Sequence, residues 1–431
     1  MKSRQERGDR YRMQDELLYK FFEPKRWVNV IDKGVEKEIS HTVLRHYCSV
    51  NGRLELYDDI LNDRLHIEPP HEARIPKDDG TFRTVYVNTP RDRLILSILN
   101  DIFFEECADM VHPRCKSYQH GIGCGKVVQN VSRYMSRLPD GVIGVKVDLS
   151  KYFDSVPIRF IDETFDQIEL RTGPSKMLDI VREYYHNNTV IDFEKNLIEK
   201  YSSLRQGCAI AAFLADAVLY DIDDAISQLD CYYIRYSDDI LILGKDWQKG
   251  YDILRGKLEE KELTLNPKKV EILNKDIWFK FLGFMLKNDK ISLSRSRIKT
   301  FQKEIESRTF KSRKSHNLKT VTARINRYLY VGNGEYSWAT SVLPVINVDE
   351  DIDTLNRFVT DAIRAAVTGK DKIGGLGCTI TKTSCISRGR GRNVTTNKNK
   401  LPTIPDYRTI QCMKNAIVTS KEAYETLIRL I

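Results

Sequence analysis

Residues 231–243 (Cys-Tyr-Tyr-Ile-Arg-Tyr-Ser-Asp-Asp-Ile-Leu-Ile-Leu) constrain the fold of this chain most, because they place two adjacent carboxylates inside an apolar segment. The flanking residues are rich in β-branched and aromatic types, so the pattern predicts a strand, a turn with Asp238 and Asp239, and a second strand. Neighbouring negative charges in apolar surroundings repel each other and lose contact with water, which a divalent cation would offset. Aspartate is also common in ordinary turns, so this stretch alone leaves both interpretations open.

A third aspartate lies at the end of another apolar stretch. Residues 144–148 predict a strand that ends at Asp148, followed by the start of a helix. A carboxylate at the carboxyl end of a strand can face a cleft in an α/β sheet. Together, Asp148, Asp238 and Asp239 have the chemistry to hold two Mg²⁺ ions about 4 Å apart for in-line phosphoryl transfer. One ion would activate a primer 3′-hydroxyl, and the other would hold a triphosphate and its leaving pyrophosphate.

Six short segments between about residues 70 and 290 resemble blocks of the reverse transcriptase family and follow in that family's order. Six ordered matches arise by chance much more rarely than any single motif. The segments are 75–83 with Asp92-Arg93 (fingers block), 148–153 (first catalytic block), 203–208 (similar to the PQG block, with Arg205 where proline is usual), 236–239 (similar to the YxDD box), and 265–269 and 281–284 (similar to the last two palm blocks).

The resemblance implies an α+β fold of the right-hand polymerase type, with fingers, a palm built on an antiparallel sheet, and a helical thumb. We predict an N-terminal helical extension over residues 1–70, fingers and palm over 71–290, a thumb over 291–370, and a basic loop with a C-terminal helix over 371–431. Apolar patterns further predict helix-like segments between residues 158 and 200, a long apolar helix over 209–222 and an apolar hairpin over 278–284. The basic loop has the composition of a linker, and it would also suit an RNA-binding segment.

The resemblance also implies roles for individual residues. Asp148, Asp238 and Asp239 match the catalytic metal ligands, and Leu149 is expected as a further metal ligand. The other implied roles are nucleotide binding for Lys77, Arg83, Phe153, Gln206 and Lys269, and positioning of the primer end for Phe281, Leu282 and Gly283.

Several of these roles have physical arguments and plain structural alternatives. Lys77 and Arg83 flank a predicted hairpin turn at residues 78–80, where cations could close over a triphosphate, although an exposed basic hairpin gives the same pattern. Phe153 would exclude a ribose 2′-hydroxyl by a clash, or it is an ordinary core residue. Lys269 would donate a proton to the leaving pyrophosphate, or it is a surface lysine.

Composition narrows the class of protein further. The net charge of +9 favours a polyanionic partner, with simple solubility as the alternative. No apolar run approaches the ~18 residues of a membrane helix, so no membrane association is expected. The nine cysteines include no CxxC pair, which argues against a disulfide framework or a zinc ribbon and favours the cytoplasm.

We therefore expect an RNA-directed DNA polymerase that uses two Mg²⁺ ions, with Mn²⁺ as an alternative, to copy an RNA template into DNA from dNTPs. The chain most resembles bacterial phage-defence reverse transcriptases that work with a noncoding RNA and are related to group II intron enzymes. No zinc-binding or HNH domain is evident, Arg205 and residues 211–212 depart from the group II pattern, and residues 367–369 lie too late for the retron VTG element.

Two other functions stay open. The first is a template-independent or protein-primed DNA polymerase, as in relatives of the abortive-infection type. The second is an RNA-binding splicing cofactor similar to group II intron proteins, although RNA binding alone does not require three carboxylates. An RNA-dependent RNA polymerase is a further alternative, against which Phe153 argues.

Overall fold

The computed structural model describes residues 15–29, 41–77, 81–119, 121–201, 203–309, 318–331 and 337–368. The predicted basic loop and C-terminal helix (371–431) and the predicted turn at 78–80 lie outside the described residues.

Helices and mainly antiparallel sheets occur in turn along the described chain, in agreement with the α+β prediction. The helices are α1 (Glu16–Phe21), α2 (His41–Cys48), α3 (Val50–Leu61), α4 (Pro90–Glu106), α5 (Cys124–Met135), α6 (Tyr152–Ser155), α7 (Ile158–Thr172), α8 (Lys176–His186), α9 (Ala211–Ala217), α10 (Tyr220–Ser227), α11 (Trp247–Glu260), α12 (Arg295–Thr309), α13 (Leu318–Asn326), α14 (Trp338–Ser341) and α15 (Asp349–Thr368). The strands are β1 (His71–Pro76), β2 (Phe82–Val87), β3 (Val142–Asp148), β4 (Thr189–Ile191), β5 (Leu197–Glu199), β6 (Tyr232–Tyr236), β7 (Asp239–Leu243), β8 (Glu271–Asn274), β9 (Phe279–Phe281), β10 (Phe284–Lys287) and β11 (Lys290–Leu293).

The chain divides into two compact units. The first contains Met1–His120 and Ile143–Leu273, and the second contains Gly121–Val142 and Asn274–Ile431. The second unit thus takes up a segment that precedes β3 in the sequence. The predicted four-part division of the chain stays a prediction.

A four-stranded sheet in the order β6-β7-β3-β8 lies at the centre of the first unit. Strand β7 pairs antiparallel with both β6 and β3. Its residues 240–243 are all buried, and Ile240 and Ile242 belong to the main apolar cluster of this unit. The predicted strand, turn and strand over 231–243 are confirmed, except that Asp239 begins β7 instead of lying in the turn.

A second sheet of the first unit combines the predicted hairpin with two strands that the sequence did not reveal. Strands β1 and β2 pair antiparallel over their full lengths, and β1 also meets β4 in parallel, which gives the order β2-β1-β4-β5. The sequence predicted only helix-like segments between residues 158 and 200. Helices α7 and α8 confirm that prediction, whereas three-residue strands such as β4 are too short to show an alternating pattern.

The predicted apolar helix from Ala209 to Ile222 is wrong in its continuity, because α9 ends at Ala217 and α10 begins at Tyr220. In a continuous helix, the carbonyl oxygens of residues 215 and 216 would accept hydrogen bonds from N–H groups four residues later. The Arg235 guanidinium instead donates to both carbonyls, at 3.3 and 2.8 Å. Because the Arg235 side chain provides hydrogen bonds to these two carbonyls, α9 can end at Ala217 without leaving them unpaired.

The second unit is built on a three-stranded sheet in the order β11-β10-β9, against which α5 packs. Strands β9 and β10 pair in the register Phe281↔Phe284, which confirms the apolar hairpin predicted over residues 278–284. Helices α12, α13 and α15 pack on one another around buried residues such as Phe301 and Ile305. No helix among the described residues of either unit combines the length and apolarity needed to cross a membrane.

Two glycine substitutions test the packing of the first unit. A Cβ on Gly144 in β3 would lie 2.1 Å from the Ile242 carbonyl oxygen, so we expect Gly144→Ala to lower the free energy of unfolding by about 3 kcal/mol. Gly256 in α11 has open space around its Cβ position, so Gly256→Ala should raise stability by about 0.5–1 kcal/mol. Chemical denaturation of both variants measures this difference, and equal stabilities would contradict the β3–β7 register.

Candidate active site

Three aspartates meet where the central strands of the first unit end. Asp148, the last residue of β3, is the cross-strand partner of Asp239, the first residue of β7. Asp239 is also paired with Tyr236 at the end of β6, so Asp238 lies in the tight turn between the two strands. The N–H of Leu149 donates to the Asp238 carbonyl oxygen at 3.1 Å. The register therefore brings together all three predicted metal-binding aspartates.

The electrostatics of these carboxyl groups reflect their crowding. Burial, followed by the negative charges of Asp238 and Asp148, raises the pKa of Asp239 to about 6. Burial also raises the pKa of Asp238, with the charge of Asp148 as the second cause. Lys146 and Lys269 offset part of this effect on Asp239. A site in which carboxylates raise each other's pKa favours the binding of a cation.

Lys269 lies on one of these carboxylates. Its Nζ donates to Oδ2 of Asp148 at 2.6 Å, while about half of the Lys269 side chain remains exposed. The short 3₁₀ turn Pro267–Lys269 positions the lysine, and the N–H of Asn266 donates to the Asp148 carbonyl at 2.8 Å. The structure thus places the predicted nucleotide-binding lysine against a predicted metal ligand.

The donor set fits a divalent cation in its chemistry. Carboxylate oxygens are the ligands that Mg²⁺ prefers, and a cation would relieve the repulsion that raises the pKa of Asp238 and Asp239. Within the described ranges, no three His, Cys, Asp or Glu side chains are grouped closely enough to hold one ion. Leu149 can contribute only its backbone carbonyl, because its side chain is apolar and buried. Metal binding at this site is therefore part of the proposal below.

The predicted triphosphate-binding cations lie on the β1–β2 hairpin of the same unit. Lys77 and Arg83 are both exposed, and the Lys77 N–H donates to the Thr81 carbonyl at 2.8 Å. The charge of Arg83 partly offsets the rise in the pKa of Asp238 that burial and Asp148 cause. Arg83 is therefore within electrostatic reach of the aspartates.

The loop that contains Gln206 is held tightly against β2. The Tyr86 N–H donates to the Gln206 carbonyl at 2.7 Å. Gly207 has φ +100°, and a Cβ there would lie 2.9 Å from the Tyr86 carbonyl oxygen, so only glycine fits. The half-buried Gln206 side chain is thereby fixed close to the hairpin.

Arg205, which stands where the family usually has proline, supports the same loop from inside. It is almost fully buried, donates to the Asn187 carbonyl, and places its guanidinium 4.4 Å from the centroid of the Tyr184 ring. The departure from the family motif therefore replaces a rigid residue with a buried cation that anchors the loop to α8 and the residue after it.

The other predicted residues lie in two different places. Phe153 is half-buried in α6, with its ring edge-on to Tyr152 at 5.6 Å, in the same unit as the aspartates. The predicted primer-positioning residues belong to the second unit: Phe281 is buried, and Leu282 and Gly283 form the β9–β10 turn with φ +47° and +79°.

Sequence reasoning missed a buried polar cluster behind the Asp238 turn. It consists of Ser117, Asp216, Asp223 and Arg235, none of which has measurable side-chain exposure. The available signal was the presence of charged residues inside apolar segments, which are rarely buried unless they are paired. Their pairing across the sequence could not be predicted, because about 100 residues separate Ser117 from Asp216.

Comparison with known proteins places this site in a recognised sequence region. Residues 75–286 match the family model described as "Reverse transcriptase (RNA-dependent DNA polymerase)". The Retron Ec48 reverse transcriptase of Escherichia coli is 23% identical over 268 residues, which are 58% of this chain and 58% of that protein. The chain thus spans less than two thirds of the curated relative that it matches. This relative is a retron enzyme. From the late position of residues 367–369 we had expected that this chain lacks the retron VTG element.

Solved structures of fungal telomerases are also similar. Telomerase from Candida albicans, in complex with a TWJ fragment of telomeric RNA, gives a TM-score of 0.47 at 12% identity, with 88% of this chain and 66% of that chain covered. Apo telomerase from Candida tropicalis gives a TM-score of 0.44 at 14% identity, with 72% and 59% covered.

The raised pKa of Asp239 predicts how cation binding depends on pH. Between the ordinary aspartate pKa and about 6, Asp239 is protonated in the folded protein but ionised in the unfolded chain. The contribution of this group to folding stability therefore falls as the pH rises through this range. A bound cation needs the ionised carboxylate, so stabilisation by Mg²⁺ should appear as the pH rises through about 6. At about 100 times its Kd, the ion would add about 2.7 kcal/mol.

Thermal unfolding at pH 5 and pH 8, with and without Mg²⁺, measures this effect. Asp239→Asn should reduce the gain at pH 8, whereas Asp252→Asn, an exposed position on α11, should leave it unchanged. An equal Mg²⁺-induced shift in Tm at both pH values would show that these carboxylates do not bind the ion.

Proposed function

We propose that this chain is an RNA-directed DNA polymerase that copies an RNA template into DNA, because residues 75–286 match the reverse transcriptase family model. The predicted fold class, α+β of the right-hand polymerase type, agrees with the family match and the antiparallel central sheet. The observation that carries the proposal is the cross-strand pairing of Asp148 with Asp239, beside Asp238.

The three aspartates would act as the metal-binding group of the polymerase. When bound, two Mg²⁺ ions, or Mn²⁺ in their place, would activate a primer 3′-hydroxyl and stabilise the leaving pyrophosphate. The carboxylates of Asp148, Asp238 and Asp239 and the backbone carbonyl oxygen of Leu149 would be the protein's metal ligands. In this structure Lys269 donates a hydrogen bond to Asp148. During the reaction Lys269 would leave Asp148, bind the leaving pyrophosphate and donate a proton to the pyrophosphate.

The surrounding residues would bind and select the incoming nucleotide. Lys77 and Arg83 are exposed on a hairpin, where their side chains are free to reach phosphate oxygens. Gln206, fixed against β2, would contact the sugar or base. Phe153 would occupy the space of a ribose 2′-hydroxyl and so favour dNTPs. In the second unit, the β9–β10 turn at 282–283 would position the primer end.

The biological setting of this activity is also a proposal. The match to a retron enzyme and the motif departures support a bacterial reverse transcriptase that works with a noncoding RNA in defence against phage. The six cysteines of the described ranges, all free thiols, suit a reducing cytoplasm. Template-independent synthesis and a splicing role remain alternatives that the next experiment separates.

Primer extension on an RNA template in Mg²⁺ tests the polymerase directly. We expect dNTP incorporation by the unaltered protein, and a loss of about 10²–10³ in kcat for Asp238→Asn, because a group that stabilises the transition state is removed. Asp252→Asn on the exposed face of α11 is the matched control and should retain full activity. Product without any template would favour template-independent synthesis. RNA binding that survives Asp238→Asn, with no DNA product from either protein, would favour a splicing cofactor.

Replacing Phe153 tests the proposed selection against ribonucleotides. Phe153→Val opens space beside the sugar, so incorporation of ribonucleotides relative to deoxynucleotides should rise about tenfold to a hundredfold. The control is Phe160→Val, since Phe160 is also half-buried but packs against the cations of Arg159 and Lys261. Single-nucleotide insertion kinetics give both ratios, and unchanged discrimination in Phe153→Val would show that Phe153 is an ordinary core residue.

A further inference from the structure

The turn that carries Asp238 contacts a single buried hydroxyl. Ser117 has no exposed surface, and its Oγ accepts the N–H of Ser237 at 3.0 Å. The same hydroxyl donates to Oδ1 of Asp216 at 2.5 Å and lies 3.2 Å from the sulfur of Cys115. Ser117 therefore joins the backbone next to Asp238 to a buried carboxylate from α9.

That carboxylate belongs to a fully buried charged cluster. Arg235 donates from Nε and Nη2 to the two carboxylate oxygens of Asp223, at 2.7 and 2.5 Å, and from Nη2 to the Asp216 carbonyl at 2.8 Å. Tyr233 donates its hydroxyl to Oδ1 of Asp223 at 2.6 Å. Desolvation makes such a cluster a weak source of stability, but its bonds fix the relative positions of α9, α10 and β6.

The backbone at the turn requires external support. Ser237 has φ +58°, a left-handed conformation that is uncommon for residues other than glycine and costs about 1–3 kcal/mol. A strained residue persists only where its surroundings over-determine its geometry. In addition to the bond from its N–H to Ser117, the Ser237 hydroxyl lies 3.4 Å from the Tyr118 hydroxyl. Two consecutive residues of one segment thus contact the strained residue.

We propose that Ser117 is a positioning residue, which transmits the fixed geometry of the Arg235–Asp223–Asp216 cluster to the turn that carries Asp238. The inference rests on the proposed polymerase function and adds to it a residue that touches neither nucleotide nor metal. The Ser117 hydroxyl is suited to this role because it donates to one group and accepts from another at the same time. Alanine at this position breaks both bonds and leaves, between the turn and the cluster, the long bond from Arg235 Nη1 to the Ser237 carbonyl at 3.5 Å.

Ser117→Ala is the test, with Ser132→Ala as the matched control. Ser132 is also buried and donates to a backbone carbonyl (Asn288), but it lies in the second unit. For Ser117→Ala we expect kcat for primer extension to fall about tenfold, because small displacements of a reacting group cost large factors in rate. KM for dNTP should stay within about twofold, and the Mg²⁺ concentration that gives half-maximal rate should rise.

Hydrogen–deuterium exchange reports on positioning independently of activity. In Ser117→Ala, exchange should accelerate in the peptide that contains residues 236–239 and remain unchanged in peptides from α7 and α8. A kcat within twofold of the unaltered protein would overturn the proposal, as would an equal loss of kcat in Ser132→Ala or faster exchange throughout the first unit. If the unaltered protein extends no primer, the polymerase function fails, while the exchange experiment still decides whether Ser117 holds the turn.

Discussion

The repulsion between three carboxylates at one end of an apolar sheet is the constraint on which the first unit depends. Asp148, Asp238 and Asp239 are brought together by strand register, and the charge of Asp148 adds to burial in raising the pKa of Asp238 and Asp239. The surroundings oppose this repulsion from several directions: Lys269 pairs directly with Asp148, and Lys146 and Arg83 contribute longer-range positive charge. Carboxylates crowded in this way suit a divalent cation, and cation binding is the role that we propose for them.

The sequence predicted the features that local patterns determine. Short apolar segments bounded by polar or glycine residues were enough to predict three features. These are the strand–turn–strand over 231–243, the end of β3 at Asp148 and the β9–β10 hairpin. The aspartates of the site were identifiable for the same reason, since adjacent charges are conspicuous in an apolar segment.

What the sequence did not reveal depends on contacts between distant residues. Strand β4 is only three residues long and forms through its pairing with β5 and with β1, which lies more than 100 residues earlier. The break between α9 and α10 exists because Arg235, from a strand that comes later in the sequence, takes the carbonyls that a continuous helix would use. Ser117 begins a glycine-rich segment, residues 117–126, that weakly resembles a block of the family, but this pattern does not indicate its contacts with Ser237 and Asp216.

The discontinuous second unit has a consequence for how the protein is made. Helix α5 packs against β10 and β11, but about 130 residues of the first unit lie between them in the sequence. At about 5–20 residues per second, a ribosome releases β10 on the order of 10 s after α5. During that interval α5, whose residues Val127, Val128 and Val131 are buried in the finished unit, cannot yet pack against β10 and β11. For this interval the nascent chain carries an apolar helix face, which is the kind of surface that promotes aggregation and that chaperones cover.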